Sequence, residues 1–383
     1  MPNFTGTLNS NEIFAAIYNM ILSQRVFSDN IKDTKETLAN LSRVDGGLYG
    51  DTKLYYSTDV LKSIEWTNDA EAQNLLELHR PEAPECQAVT INRFRMIAVT
   101  VDNYLTKRGF STEGAFAAFN SQILSWIRDT KRIYDSTLFN SFVGTHVAGQ
   151  EDDGAGAAQN IIITLPAEPE GVDDYNTEAF NRICAQTIAQ RMADLIVDLE
   201  DVSRRFNDYG NLRSYSADDF RYVWNSEWVN KIKKLDIPTI FNKDGLLDKF
   251  AQHTLPPRYF GNVNTSGGTT GGTNITIRSL IEKDYNSVKP NQPGYDAKKH
   301  IFPGDLLPIN TAYEANETYS EDPSIVFKVY HKDAIPFMSA FETGTEFFNP
   351  RSLTSTHYLI WGYNDLEHLK NYPFITAKAQ NAG

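Results

Sequence analysis

Two long stretches of the chain carry hydrophobic residues three and four positions apart, which is the spacing of an amphipathic helix. The first stretch covers residues 111–139, where Ser111 or Thr112 can cap the helix. Its apolar face comprises Phe116, Phe119, Ile123, Trp126, Ile127, Tyr134 and Leu138. Its other face, which we expect to be solvated, comprises Arg128, Lys131, Arg132 and Asp135.

The second helical stretch covers residues 177–207 and has the clearest periodicity in the chain. Its apolar positions are Phe180, Cys184, Ile188, Met192, Leu195, Leu199, Val202 and Phe206. On its polar face lie Asp194, Asp198 and Asp201, which we interpret as solvated charges rather than acid catalysts. A shorter amphipathic helix is predicted over residues 9–27.

Other segments alternate apolar and polar residues or are short apolar runs, as β-strands do. Between residues 44 and 105, extended runs at 54–56, 60–66 and 89–99 predict a long hairpin. A strand at 220–224 is followed at once by a short helix that Asn225 or Ser226 can cap. The remaining predicted strands cover 161–165, 275–277, 325–330, 356–363 and 372–377.

Composition narrows the possible functions. The formal net charge is −13, so the overall field of the chain does not favour binding to phosphate backbones. Aromatic residues make up 12% of the chain, and they contribute strongly to both cores and interfaces. The N-terminus has no signal-peptide pattern and no apolar run could span a bilayer, so we expect a protein made in the cytoplasm without a membrane partner.

The sequence contains no recognisable catalytic or ligand-binding motif. The cysteines, Cys86 and Cys184, are far apart, so no zinc site or disulfide framework is predicted. Neither a nucleophile elbow nor a phosphate-binding loop occurs, and the Gly-rich segment 261–274 lacks the lysine of such a loop. We therefore expect no catalytic residue, no cofactor and no metal, and predict that the chain is not an enzyme.

The order of these elements, more than any single motif, resembles that of the major capsid proteins of tailed bacteriophages, which share the Hong Kong 97-type fold. Three stretches carry the resemblance, and they look like members from small short-tailed phages. They are Phe220 to Trp228, Pro303 to Pro308, and Phe348 to Tyr363 followed by Phe374 to Thr376. The fold class that the resemblance implies is α+β.

The resemblance implies a division of the chain into segments with an N-terminal arm, an extended β-hairpin loop, a peripheral domain with a long spine helix, and an axial domain. The implied ranges are 1–43 for the arm, 44–105 for the extended loop, 106–148 for the peripheral domain, 149–320 for the axial domain and 321–383 for the return to the peripheral domain.

The resemblance also implies a function and partners. Subunits of this family self-assemble as hexamers and pentamers into an icosahedral shell that encloses double-stranded DNA without sequence specificity. The expected partners are copies of the chain itself, a portal and a separate scaffolding protein, if any, since the pattern starts near residue 9 and leaves no room for a long scaffolding extension. The expected location is the capsid of the virion, after synthesis in the host bacterial cytoplasm. Some members crosslink subunits between a lysine and an asparagine, for which Lys53 or Lys62 and Asn349 are of the right type.

A long hairpin is not stable by itself and needs a partner surface. We therefore expect Tyr55, Tyr56, Ile64 and Trp66 to bury against a neighbouring subunit; the alternative is that they pack within their own chain. Three other functions stay open at this point. They are an encapsulin-like compartment with the same fold, a different virion structural protein such as a tail or portal component, and a carbohydrate-active enzyme.

Overall fold

The computed structural model describes residues 37–46, 50–63, 78, 80–102, 113–148, 159–166, 177–233, 253–265, 268–270 and 318–381. The α-helices in these segments are α1 (Leu38–Leu41), α2 (Glu113–Thr145), α3 (Thr177–Glu200) and α4 (Ser226–Lys233). The strands are β1 (Arg43–Asp45), β2 (Thr52–Ser57), β3 (Glu85–Asp102), β4 (Asn160–Leu165), β5 (Phe220–Asn225), β6 (His253–Leu255), β7 (Gly261–Thr265), β8 (Gly268–Thr270), β9 (Thr318–Glu321), β10 (Ile325–His331), β11 (Phe337–Asn349), β12 (Thr354–Asn364) and β13 (Phe374–Asn381). The chain therefore has the predicted α+β class.

The first sheet joins the predicted hairpin to the C-terminal third of the chain. Its strand order is β1-β11-β12-β3-β2. Strand β3 has 18 residues, which corresponds to a length of about 60 Å. Its first part, Glu85 to Thr90, pairs antiparallel with β2, and the part from Ile91 to Asp102 pairs with β12. The hairpin is thus a continuation of this sheet.

The second sheet has the order β4-β13-β10-β5-β6. Strands β13 and β10 lie in its centre, and every residue of β10 is buried. The apolar face of α3 packs on one side of this sheet, through residues such as Ile188 and Leu199 against Phe327 and Val329. A small third sheet has the order β8-β7-β9.

Helix α2 is the element that connects the two large sheets. Within one hydrophobic cluster, Phe139 and Phe142 of α2 pack with Tyr330 of the second sheet and with Trp361 and Tyr363 of the first. The 33 residues of α2 extend over about 50 Å. Near its end a Cβ at Gly144 would lie 1.8 Å from the Tyr259 carbonyl oxygen, so only glycine permits this approach.

Both long predicted helices are present, with shifted ends. Helix α2 continues to Thr145, and α3 ends at Glu200 instead of 207, after which Ser203 forms an antiparallel bridge with Arg213. Val202 is consequently exposed, although Phe206 still reaches the core of the second sheet. The three aspartates of α3 and its C-terminal end are exposed, as predicted.

The charged face of α2 was predicted incorrectly at two positions. Lys131 and Asp135 are buried, whereas the sequence pattern indicated a solvated face. The reason is that Arg43 and Glu342, which are distant in sequence, supply opposite charges and cover this part of the helix. A charged pair can be buried when it is compensated in this way.

The strand predictions were right where pairing and burial coincide. The strands predicted at 161–165, 220–224, 325–330, 356–363 and 372–377 correspond to β4, β5, β10, β12 and β13. The extended run predicted from Val60 is not a strand as far as Ser63, the last described residue of that run. The helix predicted at 9–27 and the segments 275–277 and 303–308 lie outside the described residues.

The strands of the C-terminal segment are shared between the two large sheets. Of the strands within 321–383, β11 and β12 join the sheet that contains the hairpin, whereas β10 and β13 join β4, β5 and β6. The chain therefore returns to the second sheet twice after residue 320, and the implied domain ranges stay a prediction.

Candidate assembly interface

The β2–β3 hairpin has an inner face that packs against its own subunit. Tyr55 lies half-buried beside a small core that contains Val89 and Ile91 of β3 and Met338 of β11. Burial also raises the pKa of the Tyr55 hydroxyl. The hairpin thus has more core of its own than the sequence suggested, because Tyr55, Val89 and Ile91 share a core with residues of β11.

The outer face of the same hairpin is apolar and exposed. Leu54 stands opposite Ala88, and Tyr56 stands opposite Cys86. All four residues are exposed, and 65% of the Tyr56 surface is accessible. Side chains directly opposite each other on an antiparallel pair share one face, so these four form a continuous patch.

Beyond the hairpin, the connection between β2 and β3 carries more exposed apolar side chains. Leu61 is 79% exposed and Leu78 is 77% exposed. The two sides of this connection approach each other where Lys62 Nζ lies 2.8 Å from Glu82 Oε1. These exposed apolar side chains make the connection a candidate for a protein–protein contact.

A second candidate surface is the far half of the β11–β12 hairpin. Residues 342–353 are all exposed, and Phe347 is 64% exposed. Strand β1 pairs with β11 only from Phe337 to Ser339. In the part of the chain that the structure describes, no strand pairs with the outer edge of β11 beyond that point. An open edge of this kind can accept another strand.

A cluster of charged side chains links the start of β1 to helix α2. Asp135 Oδ2 accepts hydrogen bonds from Arg43 Nη2 at 2.6 Å and from Lys131 Nζ at 3.1 Å. Lys131 Nζ also lies 3.2 Å from Glu342 Oε2 of β11. Burial raises the pKa of Asp135, and the two cations oppose this shift. The cluster joins three elements that are distant in sequence, and it borders a cavity of about 190 Å³ that Arg128 and Arg132 also line.

The structure separates the predicted contact residues. Tyr55 faces its own core and Tyr56 faces solvent, while Ile64 and Trp66 lie outside the described residues. The prediction did not include Leu54, Leu61 or Phe347. Leu54 could have been found, because it lies two positions from Tyr56 and must share its face if 54–56 is a strand.

The residues proposed for crosslinking have ordinary surroundings in a single subunit. Lys62 pairs with Glu82, and the Asn349 side chain accepts a hydrogen bond from the Arg351 backbone at 3.0 Å. Crosslinking between subunits stays a prediction.

Among the described residues there is no cluster of three or more potential metal-ligating side chains. None of the described helices combines the length and the apolar composition needed to cross a membrane.

Comparisons with known proteins identify the fold through structure and not through sequence. Neither a protein-family profile nor a curated protein sequence matches the chain. A chain in the capsid structure of Staphylococcus phage Andhra is 11% identical, with a TM-score of 0.57, and the alignment covers 94% of this chain and 89% of that chain. A chain in the structure of the head fiber and inner core protein gp22 of native bacteriophage P68 is also 11% identical, with a TM-score of 0.55 and coverage of 94% and 90%.

These matches extend over nearly the whole chain and include both sheets and the helix between them. They give no support to the encapsulin or carbohydrate-active enzyme alternatives. The resemblance predicted from the order of elements is thereby confirmed at the level of architecture: the chain has the Hong Kong 97-type fold of tailed-phage major capsid proteins.

Proposed function

We propose that this chain is a major capsid protein that self-assembles as hexamers and pentamers into an icosahedral shell around phage double-stranded DNA, and that it has no catalytic activity of its own. The observation that carries the proposal is the structural similarity to a phage capsid structure over 94% of the chain. The proposed location is the virion capsid, after synthesis in the bacterial cytoplasm.

The surface of the isolated subunit supports this proposal. The outer face of the β2–β3 hairpin and the far half of the β11–β12 hairpin both expose large apolar side chains. Two such surfaces on one chain allow each copy to contact more than one neighbour, which a closed shell requires. In the assembled state we expect Tyr56 to bury against another subunit together with Leu54 and Leu61, and with Ile64 and Trp66 as the sequence suggested.

The sheet pairing suggests how the chain divides into domains. We propose that the first sheet and α2 form the peripheral domain, and that the second sheet, α3 and α4 form the axial domain. The axial domain then gains β10 and β13 from the segment 321–383. Residues 1–43 remain the proposed arm. Of the range 44–105 that was predicted as the extended loop, this division assigns β2 and β3 to the peripheral domain and keeps the connection between them as the loop.

The net charge of the chain is consistent with a shell that encloses DNA without binding it tightly. A net charge of −13 disfavours tight contact with phosphates, so DNA would be confined rather than bound. The remaining proposed partners are a portal and a separate scaffolding protein, if any.

The test is to express the chain alone and with a candidate scaffolding protein, and to examine both samples by negative-stain electron microscopy. We expect closed shells of uniform diameter in at least one of them. Leu61→Asp is the matched variant: Leu61 is exposed, so the subunit should fold but should not form shells. Finding only folded monomers of the native chain in both samples would contradict the proposal, and shells formed equally well by Leu61→Asp would contradict the assigned surface.

A further inference from the structure

Strand β2 ends in a dense hydrogen-bonded cluster at Ser57. The Ser57 side chain is buried, and its Oγ donates to Asn371 Oδ1 at 2.6 Å. The same Oγ accepts from Asn211 Nδ2 at 2.8 Å and from Arg213 Nη2 at 3.3 Å. Three residues from two distant segments therefore converge on one hydroxyl at the point where the hairpin gives way to its loop.

The next two residues, Thr58 and Asp59, are held as well. Arg213 Nη2 donates to the Thr58 carbonyl oxygen at 2.5 Å. Asp59 Oδ1 accepts from the Leu212 backbone N–H at 2.9 Å, and its Oδ2 accepts from Arg204 Nη1 at 2.5 Å. Hydrogen bonds from Arg204, Leu212 and Arg213 thus hold the chain up to Asp59.

The loop that supplies these partners is itself rigidly closed. Asn207 is fully buried, and its side chain accepts from the Asn211 backbone N–H at 2.8 Å and donates to the Asn211 carbonyl at 2.7 Å. Buried amide groups that make both bonds fix a loop in one geometry, since leaving either bond unmade costs desolvation. The partners of Ser57 and Asp59 are therefore preorganised.

Strand β3, the second strand of the hairpin, is hydrogen-bonded to the same region. Gln87 Nε2 donates to the His368 carbonyl at 2.9 Å, and Gln87 Oε1 accepts from the Lys370 backbone N–H at 2.9 Å. Asn371, which binds Ser57, follows directly. Both strands of the hairpin are thus tied to the segment between β12 and β13.

We propose that the contacts of Ser57, Thr58 and Asp59 with Arg204, Leu212 and Arg213 form a clamp that fixes the exit direction of the β2–β3 loop, so that its apolar residues meet a neighbouring copy of the chain. Arg213 and Asp59 are then positioning residues for assembly. The inference rests on the proposed shell function and assigns a role to residues that do not themselves contact the neighbour.

The position of the exposed apolar residues supports this role. Val60 and Leu61 follow the clamp directly and are both exposed. An apolar contact contributes more to association when its side chains are already placed, because ordering a loop during binding costs conformational entropy. Fixing the chain at Asp59 removes part of that cost before the subunits meet.

The Asp59 carboxylate of the clamp stays charged at physiological pH. Hydrogen bonds from the Leu212 backbone N–H and from Arg204 lower the pKa of Asp59 to about 2. A lowered carboxyl pKa stabilises the folded clamp above the ordinary value near 4, and this stabilisation is lost as the pH falls towards about 2. The clamp therefore keeps its hydrogen bonds across the physiological pH range and does not act as a pH switch.

The experiment compares Arg213→Ala with Arg205→Ala. Arg205 lies in the same loop and has the same charge, but its guanidinium lies over the Phe206 ring. Hydrogen–deuterium exchange of unassembled subunits reports on opening of β2 and the first part of β3, and light scattering reports on assembly rate. For Arg213→Ala we expect roughly tenfold faster exchange in these strands and roughly tenfold slower assembly, since the four hydrogen bonds of its side chain, two of them to Ser57 and Thr58, are lost. For Arg205→Ala we expect the exchange rate and the assembly rate of the native chain.

Two results would overturn the proposal. One is native exchange and native assembly in Arg213→Ala; the other is an equal assembly defect in Arg205→Ala, which would indicate a general charge effect. If Arg213→Ala does not fold, Asp59→Asn tests the same clamp through a partly exposed side chain, with the exposed Asp198→Asn as its control. A native chain that never assembles would refute the shell function, whereas the exchange comparison would still decide whether the clamp fixes the loop.

Discussion

Replacing Tyr56 by alanine should weaken assembly and leave the isolated subunit almost unchanged in stability. Tyr56 is 65% exposed on the outer face of the hairpin, and its neighbour Tyr55 is half-buried on the inner face. The two residues have the same side chain and adjacent positions on one strand. They therefore form a matched pair in which only the direction of the side chain differs.

The size of the effect follows from the area that Tyr56 can still bury. A tyrosine presents roughly 200 Å², so an exposure of 65% leaves about 130 Å² for a contact with another subunit. At about 25 cal/mol per Å² this area is worth roughly 3 kcal/mol. After subtraction of the alanine that remains and of the side-chain entropy, about 2 kcal/mol per contact is lost, which is roughly a 30-fold weaker association.

The assay combines two measurements on the same preparations. Light scattering over a series of protein concentrations gives the critical concentration for assembly, and urea denaturation of the unassembled subunit gives the free energy of unfolding. For Tyr56→Ala we expect a raised critical concentration and an unfolding free energy within about 0.5 kcal/mol of the native chain. For Tyr55→Ala we expect a loss of about 2 kcal/mol in unfolding free energy, because its side chain leaves a gap beside Val89 and Ile91.

The reasoning would be refuted if Tyr56→Ala assembled at the native critical concentration. It would also be refuted if Tyr56→Ala lost as much unfolding free energy as Tyr55→Ala. The first result would mean that the outer face does not contact a neighbour, and the second that the hairpin packs on its own subunit through both faces.

Two further predictions concern groups that are buried without full charge compensation. Lys328 is fully buried and donates to the His146 carbonyl at 2.6 Å. Burial holds the pKa of Lys328 well below the usual value. The unfolding free energy of the native chain should therefore rise with pH until the lysine of the unfolded chain is neutral. Lys328→Met should keep or increase stability at neutral pH, because the amine need no longer be desolvated, and it should remove this pH dependence. Urea denaturation at about pH 7 and pH 10 measures both effects, and a loss of more than about 3 kcal/mol in unfolding free energy would contradict the prediction. Burial likewise lowers the pKa of His331 and His368, so below a pH of about 6.5 the unfolded state binds more protons and stability falls. His368→Gln should reduce this fall in urea titrations between about pH 7.5 and pH 5.5, and an unchanged slope would show that His368 does not contribute.

Local signals in the sequence were sufficient to predict α2, α3 and α4, although not the short helix α1. The periodicity of α2 and α3 is a property of neighbouring residues and predicted both helices. The start of α4 is local as well, since Asn225 Oδ1 accepts from the Glu227 backbone N–H at 3.1 Å, as expected of a capping residue.

Features that depend on distant partners could not be predicted. Lys131 and Asp135 are four residues apart and look like a surface pair, and only Arg43 and Glu342 show that they are buried. Strand β11 was not predicted as a whole, because its far half is exposed on both faces and lacks alternation; pairing with β12 defines it. The position of β13 between β4 and β10 is set by parallel pairing with a strand some two hundred residues earlier.

The candidate interface shows the same limit at a single dipeptide. Composition indicates that Tyr55 and Tyr56 are suited to contacts, and strand alternation requires that they point in opposite directions. Which of them faces outwards depends on register, and a slip of one residue would exchange the two. The register follows from the pairing of Tyr55 with Gln87 and of Tyr56 with Cys86, which the sequence alone does not specify.

The most direct test of the shell account is a cryo-electron microscopy reconstruction of particles formed by the native chain. The account predicts a closed icosahedral particle in which the outer face of the hairpin, with Leu54 and Tyr56, lies against an adjacent subunit. A particle in which these side chains face solvent, or a chain that stays monomeric at every concentration with and without its scaffold, would contradict it.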